Sequence, residues 1–318
     1  MKNDVFGIGN ILVDILIKTN DKFINELGLK KGQFNEIDEL KLNEIAFKVD
    51  NSKIKVVPGG SVVNALAGIS NLGGTVSFYG KIGNDKHGLF LEEDLKKNKI
   101  KSNLRRSEKI TGKALTFITP DNERTFAVCL GAATDLKKED FLEEEIKKYK
   151  FLHLTGYEIE SARDFCLHVI DIAKKNKVKI SIDLADPGVI KRNPEPKEII
   201  KNANILFLNE EEAKALTNLE PEKAIEQISN DIDTIAIKLG AKGSIIRHNN
   251  NIIKINGIKA KAVDSTGAGD MYAACILYGL SKGWNIEKSA NLASFAAAKV
   301  VEQIGARLNY DLRSKVNI

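Results

Sequence analysis

The chain has no pair of cysteines at CxxC spacing. It also has no apolar run of the roughly 18 residues that a membrane-spanning helix needs. Its three cysteines, Cys129, Cys166 and Cys275, each lie in an apolar stretch, and their odd number fits buried, reduced thiols. The opening MKNDVFGIGN lacks a signal-peptide pattern, so a cytoplasmic protein without membrane contact is expected. Charge of one sign is nowhere concentrated. The 48 basic and 43 acidic residues leave a net charge of +5 and interleave, as in KKEDFLEEEIKKYK (137–150). Such mixing reads as solvated helix faces. It argues against nucleic acid as a partner, which would call for basic residues clustered on one face. The weak positive balance would at most help to attract an anionic substrate such as a nucleotide.

Several chemical signatures are missing as well. Gly7-Ile8-Gly9 lacks the third glycine of a dinucleotide fingerprint, and no GxxxxGK[ST] loop occurs. Neither HExxH, nor zinc-spaced Cys/His sets, nor a GxSxG elbow is present. The histidines, His87, His153, His168 and His248, stand isolated from one another. Metalloprotease, zinc-site and serine-hydrolase readings lose their support.

What is present is an ordinary globular composition, 43% hydrophobic and 29% charged, over 318 residues. That length allows one large α/β domain or two medium ones, with a core that needs no staple. Short apolar runs at 5–9, 76–79, 151–154, 179–183, 205–208, 234–238 and 244–247 read as buried strands. Amphipathic stretches such as 161–176 and 221–230 lie between several of them. This alternation predicts a doubly wound α/β fold, mostly parallel, with helices on both faces and ligands beyond the carboxyl ends of the strands. Residues 11–38 and 103–130 break the alternation. Runs at 113–119 and 124–130 around Pro120-Asp121-Asn122-Glu123 suggest a small separate β-structure. The division expected is therefore a large domain of 1–10, 39–102 and 131–318, with a small β lid of 11–38 and 103–130.

Two motifs carry chemistry. Val-Asp-Ser-Thr-Gly-Ala-Gly-Asp (263–270) precedes MYAACILYGL (271–280), an apolar run of helical length. Gly267, Ala268 and Gly269 would leave free amides at a helix N-terminus, an anion site. Asp270 in the first turn suits a base that takes a proton from a hydroxyl attacking a phosphoryl group. A capping acid after a Gly-rich turn explains the same residues. The second motif, Gly-Gly-Ser-Val-Val-Asn-Ala-Leu-Ala (59–67), places two glycines before a helix with Val62, Leu66, Ile69 and Leu72 on one face. Gly59 and Gly60 admit a ligand close to the backbone, and Asn64 suits a pair of sugar hydroxyls. Its alternative is Ser61 as N-cap with a merely solvated Asn64.

Together, in this order and some 200 residues apart, the motifs resemble the two signatures of the ribokinase-like (PfkB) carbohydrate and nucleoside kinases. The chain is most similar to the adenosine kinases among them. The resemblance implies a ribokinase-like fold with a lid, ATP and Mg²⁺ as cofactors, K⁺ as a further candidate, and a nucleoside or sugar acceptor. A monomer and a homodimer are both open. Asp14, in GNILVDI (9–15), would bind ribose hydroxyls with Gly59, Gly60 and Asn64; a strand-end surface acid is its alternative. Asn209 and Glu212, in Asn-x-x-Glu, would organise Mg²⁺ and its water shell, although a helix start rich in acids accounts for them equally. Lys238, Gly240 and Gly243 would lie along ATP, with Asn291 and Ala297 lining the adenine side. Gly305-Ala306 resembles the loop that, with Asp264 and Thr266, forms a monovalent-cation site in many relatives.

Local resemblances favour adenosine. DNERTF (121–126) is similar to a lid segment in which Arg124 would pair with phosphate and Phe126 cover a base. Tyr157, in Thr-Gly-Tyr (155–157), matches an aromatic that stacks on the base; a core tyrosine is the other reading. Asn35 departs from the apolar residue that relatives tend to carry, which leaves another purine nucleoside or a sugar as alternative acceptors. A non-catalytic nucleoside sensor on the same fold is a further alternative.

Overall fold

The computed structural model describes residues 2–50, 54–121, 123–192, 196–229 and 231–316. Fourteen strands occur among them: Asn3–Ile8 (β1), Leu12–Lys18 (β2), Phe34–Glu36 (β3), Ile54–Gly59 (β4), Val76–Gly83 (β5), Lys101–Ser107 (β6), Gly112–Ile118 (β7), Arg124–Cys129 (β8), Tyr149–Thr155 (β9), Lys179–Asp183 (β10), Ile205–Asn209 (β11), Thr234–Lys238 (β12), Gly243–His248 (β13) and Asn251–Asn256 (β14). Nine of them form a sheet in the order β14-β13-β12-β11-β10-β9-β1-β5-β6, parallel from β12 through β6. The chain leaves β1 to one side for β5 and β6, and returns on the other for β9 to β12. The turnover point is therefore the β1–β9 junction, where such sheets open a crevice beyond their carboxyl ends.

Both faces of this sheet are covered, as its near-continuous apolar strands require. The helices Ser61–Asn71, Ala268–Ser281 and Ile286–Val301 cover one face. The helix Arg163–Lys175 packs on the other, burying Phe165, Cys166, Val169, Ile170 and Ala173 at helical spacing. Ala268–Ser281 is buried nearly all round because it lies between the other two helices of its layer. All three cysteines are buried and unpaired. Among the described residues no helix is long and apolar enough to cross a membrane.

The second sheet, β3-β8-β7-β2-β4, stands over the crevice. Strand alternation gives it two distinct faces. Ile17, Leu115, Phe117, Ala127 and Cys129 pack against Ile24, Leu42 and Ile45 of the helices Asp21–Glu26 and Glu39–Lys48. Leu12, Asp14, Ala114, Phe126 and Val128 face the cleft instead.

The two sheets divide the chain differently from the expected segments in two places. β4 belongs to the small sheet, paired with β2 from Leu12↔Gly59 to Ile17↔Ile54. β6 belongs to the large one, in register with β5 from Ser77↔Lys101 to Gly83↔Ser107. Neither strand has the apolar pattern that marks its sheet, so only the pairing reveals its place. Asp14 also changes position: it lies inside β2, opposite Ala114, and does not end the first strand. Asn122, in the turn between β7 and β8, lies outside the described residues. The helix expected over 161–176 is Arg163–Lys175, and a break at Ala162 separates it from a short helix, Gly156–Ser161, that the sequence did not suggest.

Candidate active site

A cleft of about 1330 Å³ runs between the small sheet and the carboxyl ends of β9 to β12. Ordinary small-molecule pockets hold roughly 300–1,000 Å³, so this one has room for two ligands side by side.

At its floor lies the start of helix Ala268–Ser281. Gly267, with φ +79°, turns the chain into that helix, and a Cβ there would run into the Ala306 carbonyl. Asp270 enters the cleft from the first turn. Its Oδ1 accepts the Ser61 hydroxyl at 2.5 Å and its Oδ2 the Asn64 amide at 2.9 Å. Burial raises its pKa to about 6, against the lowering effect of those two donors; Asp183 adds to the rise. Asp270 is thus a carboxylate at neutral pH, with basicity near that of an imidazole.

The Gly-Gly motif delivers those two donors. Gly60 caps helix Ser61–Asn71 with φ +108°, and a Cβ would meet the Asn10 carbonyl oxygen at 2.5 Å. Gly59 is pressed by the Asp14 carboxylate, 2.6 Å from where its Cβ would be. Neighbouring protein groups leave no room for a side chain at either glycine, and Gly60 lines the cleft. Ser61 is not the cap; its hydroxyl serves Asp270. Asn64 is 7% exposed and held at both ends of its amide, since Oδ1 accepts Arg307 Nε at 2.8 Å. Arg307 in turn pairs with Asp94 at 2.5 Å. That chain fixes which end of the Asn64 amide faces Asp270. Asp14 has its pKa raised to about 7 by burial, with Arg307 and Arg124 opposing and Asp270 assisting.

Beyond Asp270 lies a cluster of charges at the strand ends. Lys238 Nζ meets Asp183 at 2.7 Å and lies 3.1 Å from where a Gly269 Cβ would stand. Glu212 is 1% exposed and locked with Asn209 in a capping box, its oxygens accepting the Asn209 N–H at 2.8 Å and Nδ2 at 2.6 Å. Burial raises its pKa well above the usual carboxylate range, with Lys238 opposing and Asp183 assisting. One buried cation among Asp183, Glu212 and Asp270 leaves negative charge in excess, which favours a further cation. Among the described residues no group of three or more His, Cys, Asp or Glu could cage a metal by itself. A Mg²⁺ carried chiefly by phosphates and water needs no such cage, so these residues fit it.

Gly240, Gly243, Ala297, Ala298 and Val301 line the far end of the cleft. Asn291 does not join them: it is exposed on the outer side of its helix. The near end carries aromatics. Tyr157, held by the Thr155/Glu158 capping box, lies nearly parallel to Phe34, with centroids 6.3 Å apart and planes at 21°. The Arg192 guanidinium lies 5.9 Å from the Phe34 ring centre, and Phe126 is the register partner of Phe34. Asn35 is absent from this wall. Its side chain is spent on backbone groups of Lys30, Gln33 and Phe126, so the apolar residue of the strand is Phe34.

The candidate cation residues are engaged by protein donors. Asp264 accepts the amides of Thr266 and Gly305, each at 2.9 Å, and the Arg124 guanidinium at 2.7 Å. Arg124 also donates to the Thr266 hydroxyl. Phe34, Asp183, Glu158 and Arg307 were not singled out from the sequence, and Ser61 only as an N-cap. Asp183, an acid at the carboxyl end of a parallel strand, is the one that position alone could have signalled.

The family profile described as pfkB family carbohydrate kinase matches residues 35–312. The structure of an adenosine kinase from Sinorhizobium meliloti, 28% identical, superposes with a TM-score of 0.90 over 99% of this chain and 98% of that one. An uncharacterized sugar kinase from Archaeoglobus fulgidus is 29% identical over 76% of this chain and 96% of its own. A ribokinase from Lactococcus lactis is 28% identical over 79% of this chain and 82% of its own.

Proposed function

Because the chain belongs to the pfkB family of carbohydrate kinases, phosphotransferases acting on hydroxyl groups, we propose that it transfers the γ-phosphoryl group of ATP to the 5′-hydroxyl of a ribonucleoside, adenosine first among them. The observation that carries this reading is the aromatic wall. Tyr157 and Phe34 line the same cleft as Asp14 and Asp270, so an aromatic surface suited to a flat base shares one cavity with carboxylates suited to a ribose and its attacking hydroxyl.

In this reading Asp14 and the backbone at Gly60 hold the ribose hydroxyls. Asn64, occupied by Arg307 and Asp270, orients the base rather than the sugar. Asp270 takes the proton as the hydroxyl attacks phosphorus, and its basicity suits that transfer. The helix-terminal amides of Gly267 and Gly269 would meet the charge that builds on the transferring group, with Lys238 alongside; the Ala268 N–H lies 3.3 Å from the Ser265 carbonyl oxygen and would have to leave it to join them. ATP would lie along Gly240, Gly243 and Ala297. Glu212 and Asn209 would face the water shell of a Mg²⁺, which would supply further positive charge to the phosphates. The small sheet over the cleft excludes water, which limits wasteful hydrolysis of ATP.

A sugar acceptor is the second reading, favoured by the names of the curated relatives. Calorimetric titration separates the two readings before any turnover. Adenosine should bind more tightly than ribose, and equal or reversed affinities would remove the nucleoside reading.

A further inference from the structure

Arg124 occupies a place that the family resemblance assigns to an ion. It is the first residue of β8 and reaches from the small sheet to the loop that leads into helix Ala268–Ser281. There one arm of its guanidinium meets Asp264 Oδ1 at 2.7 Å and the other meets the Thr266 hydroxyl. The Asp264 side chain is 4% exposed, and a buried carboxylate needs donors or a counter-charge. Burial alone would raise its pKa, but amides of Thr266 and Gly305 with the Arg124 guanidinium hold it below the usual carboxylate range.

We propose that the Arg124 guanidinium replaces the monovalent cation, so that the positive charge supporting the anion-binding turn is supplied by the small sheet itself. Charge and space both exclude a second cation here. Asp264 can neutralise one unit charge, and the guanidinium already provides it. Oxygens of two residues that would ligate an ion instead accept Arg124 donors, and those donors would repel a second cation. Because Arg124 is anchored on β8, the charge arrives only when the small sheet stands over the cleft. Closure of the sheet and electrostatic preparation of the turn therefore become one event. This rests on the kinase reading for its consequence in turnover, but not for the occupancy of Asp264.

The test compares potassium chloride with choline chloride at matched ionic strength, using the full chain, Arg124→Gln and Arg124→Lys. Thermal melting reads the site without any substrate, and phosphoryl transfer from Mg-ATP reads its consequence. For the native chain both readouts should change by less than about twofold in rate and within error in melting, since only general screening remains. Arg124→Gln vacates Asp264 and should gain a melting temperature and a rate that rise with potassium, while Arg124→Lys should stay insensitive. Potassium activation or stabilisation of the native chain overturns the proposal. So does Arg124→Gln remaining indifferent to potassium in melting. Absence of turnover with every acceptor, alongside the expected melting pattern, would instead count against the kinase reading and leave the occupancy intact.

Discussion

Replacing Asp270 by Asn removes the proposed base while keeping its shape. The Ser61 hydroxyl can rotate to accept from the new amide nitrogen, and the remaining oxygen can still accept Asn64 Nδ2. The fold and ligand binding should therefore survive. Loss of a general base costs typically 10²–10⁴ in rate, so kcat should fall by about that factor, or about 3–5 kcal/mol of barrier, with KM little changed. Stability should move the other way. Asp270 has its folded pKa raised to about 6, so its favourable contribution is fully present below the unfolded carboxylate value and is lost as pH rises through 6. At neutral pH the charge is a liability, and Asn should leave the melting temperature equal or higher. The native rate should rise tenfold per pH unit below about 6 and level off above 7, a bend the variant lacks. Steady-state kinetics across pH, with a melting curve for each protein, would reveal all of this. Near-normal kcat in Asp270→Asn, or a flat native profile from pH 5 to 8, would refute the base assignment.

Tyr157→Ala should raise KM for adenosine by about tenfold or more, stacking being worth about 1–3 kcal/mol per base, while leaving turnover of a free sugar unchanged. Equal losses for both acceptors would place Tyr157 in the fold rather than the base site. Arg307→Ala strips the partner from Asp94, whose side chain is 13% exposed, and should cost about 3 kcal/mol in urea unfolding together with a fall in kcat as Asn64 loses its orientation. Gly60→Ala meets both a left-handed φ and the Asn10 carbonyl, so it should cost at least about 2 kcal/mol, read by the same unfolding curve.

Much of the fold was legible because its signals are local. Buried parallel strands such as Ile205–Asn209 and Thr234–Lys238 are continuous apolar runs, and the turns at Gly60 and Gly267 demand glycine where they stand. Signals that depend on pairing were not legible. KSNLRRS at β6 has no apolar pattern and becomes a strand only through β5. Phe34 joins the aromatic wall because β3 pairs with β8, some ninety residues on, and nothing near it in sequence says so. Arg307 lies in an irregular segment near the end of the chain, yet it sets the orientation of Asn64, 243 positions away. The resemblance to a cation site placed Asp264, Thr266 and Gly305 together, and the structure does bring them together, but with Arg124 among them.

The most direct test of the account is a turnover panel: purified protein with Mg-ATP, with ADP release followed for adenosine, inosine, guanosine, cytidine, ribose and fructose. Adenosine should show the highest kcat/KM, with a 5′-monophosphate as its product. Faster turnover of ribose or fructose than of any nucleoside would keep Asp270 as the base and contradict the nucleoside site built from Tyr157, Phe34 and Phe126.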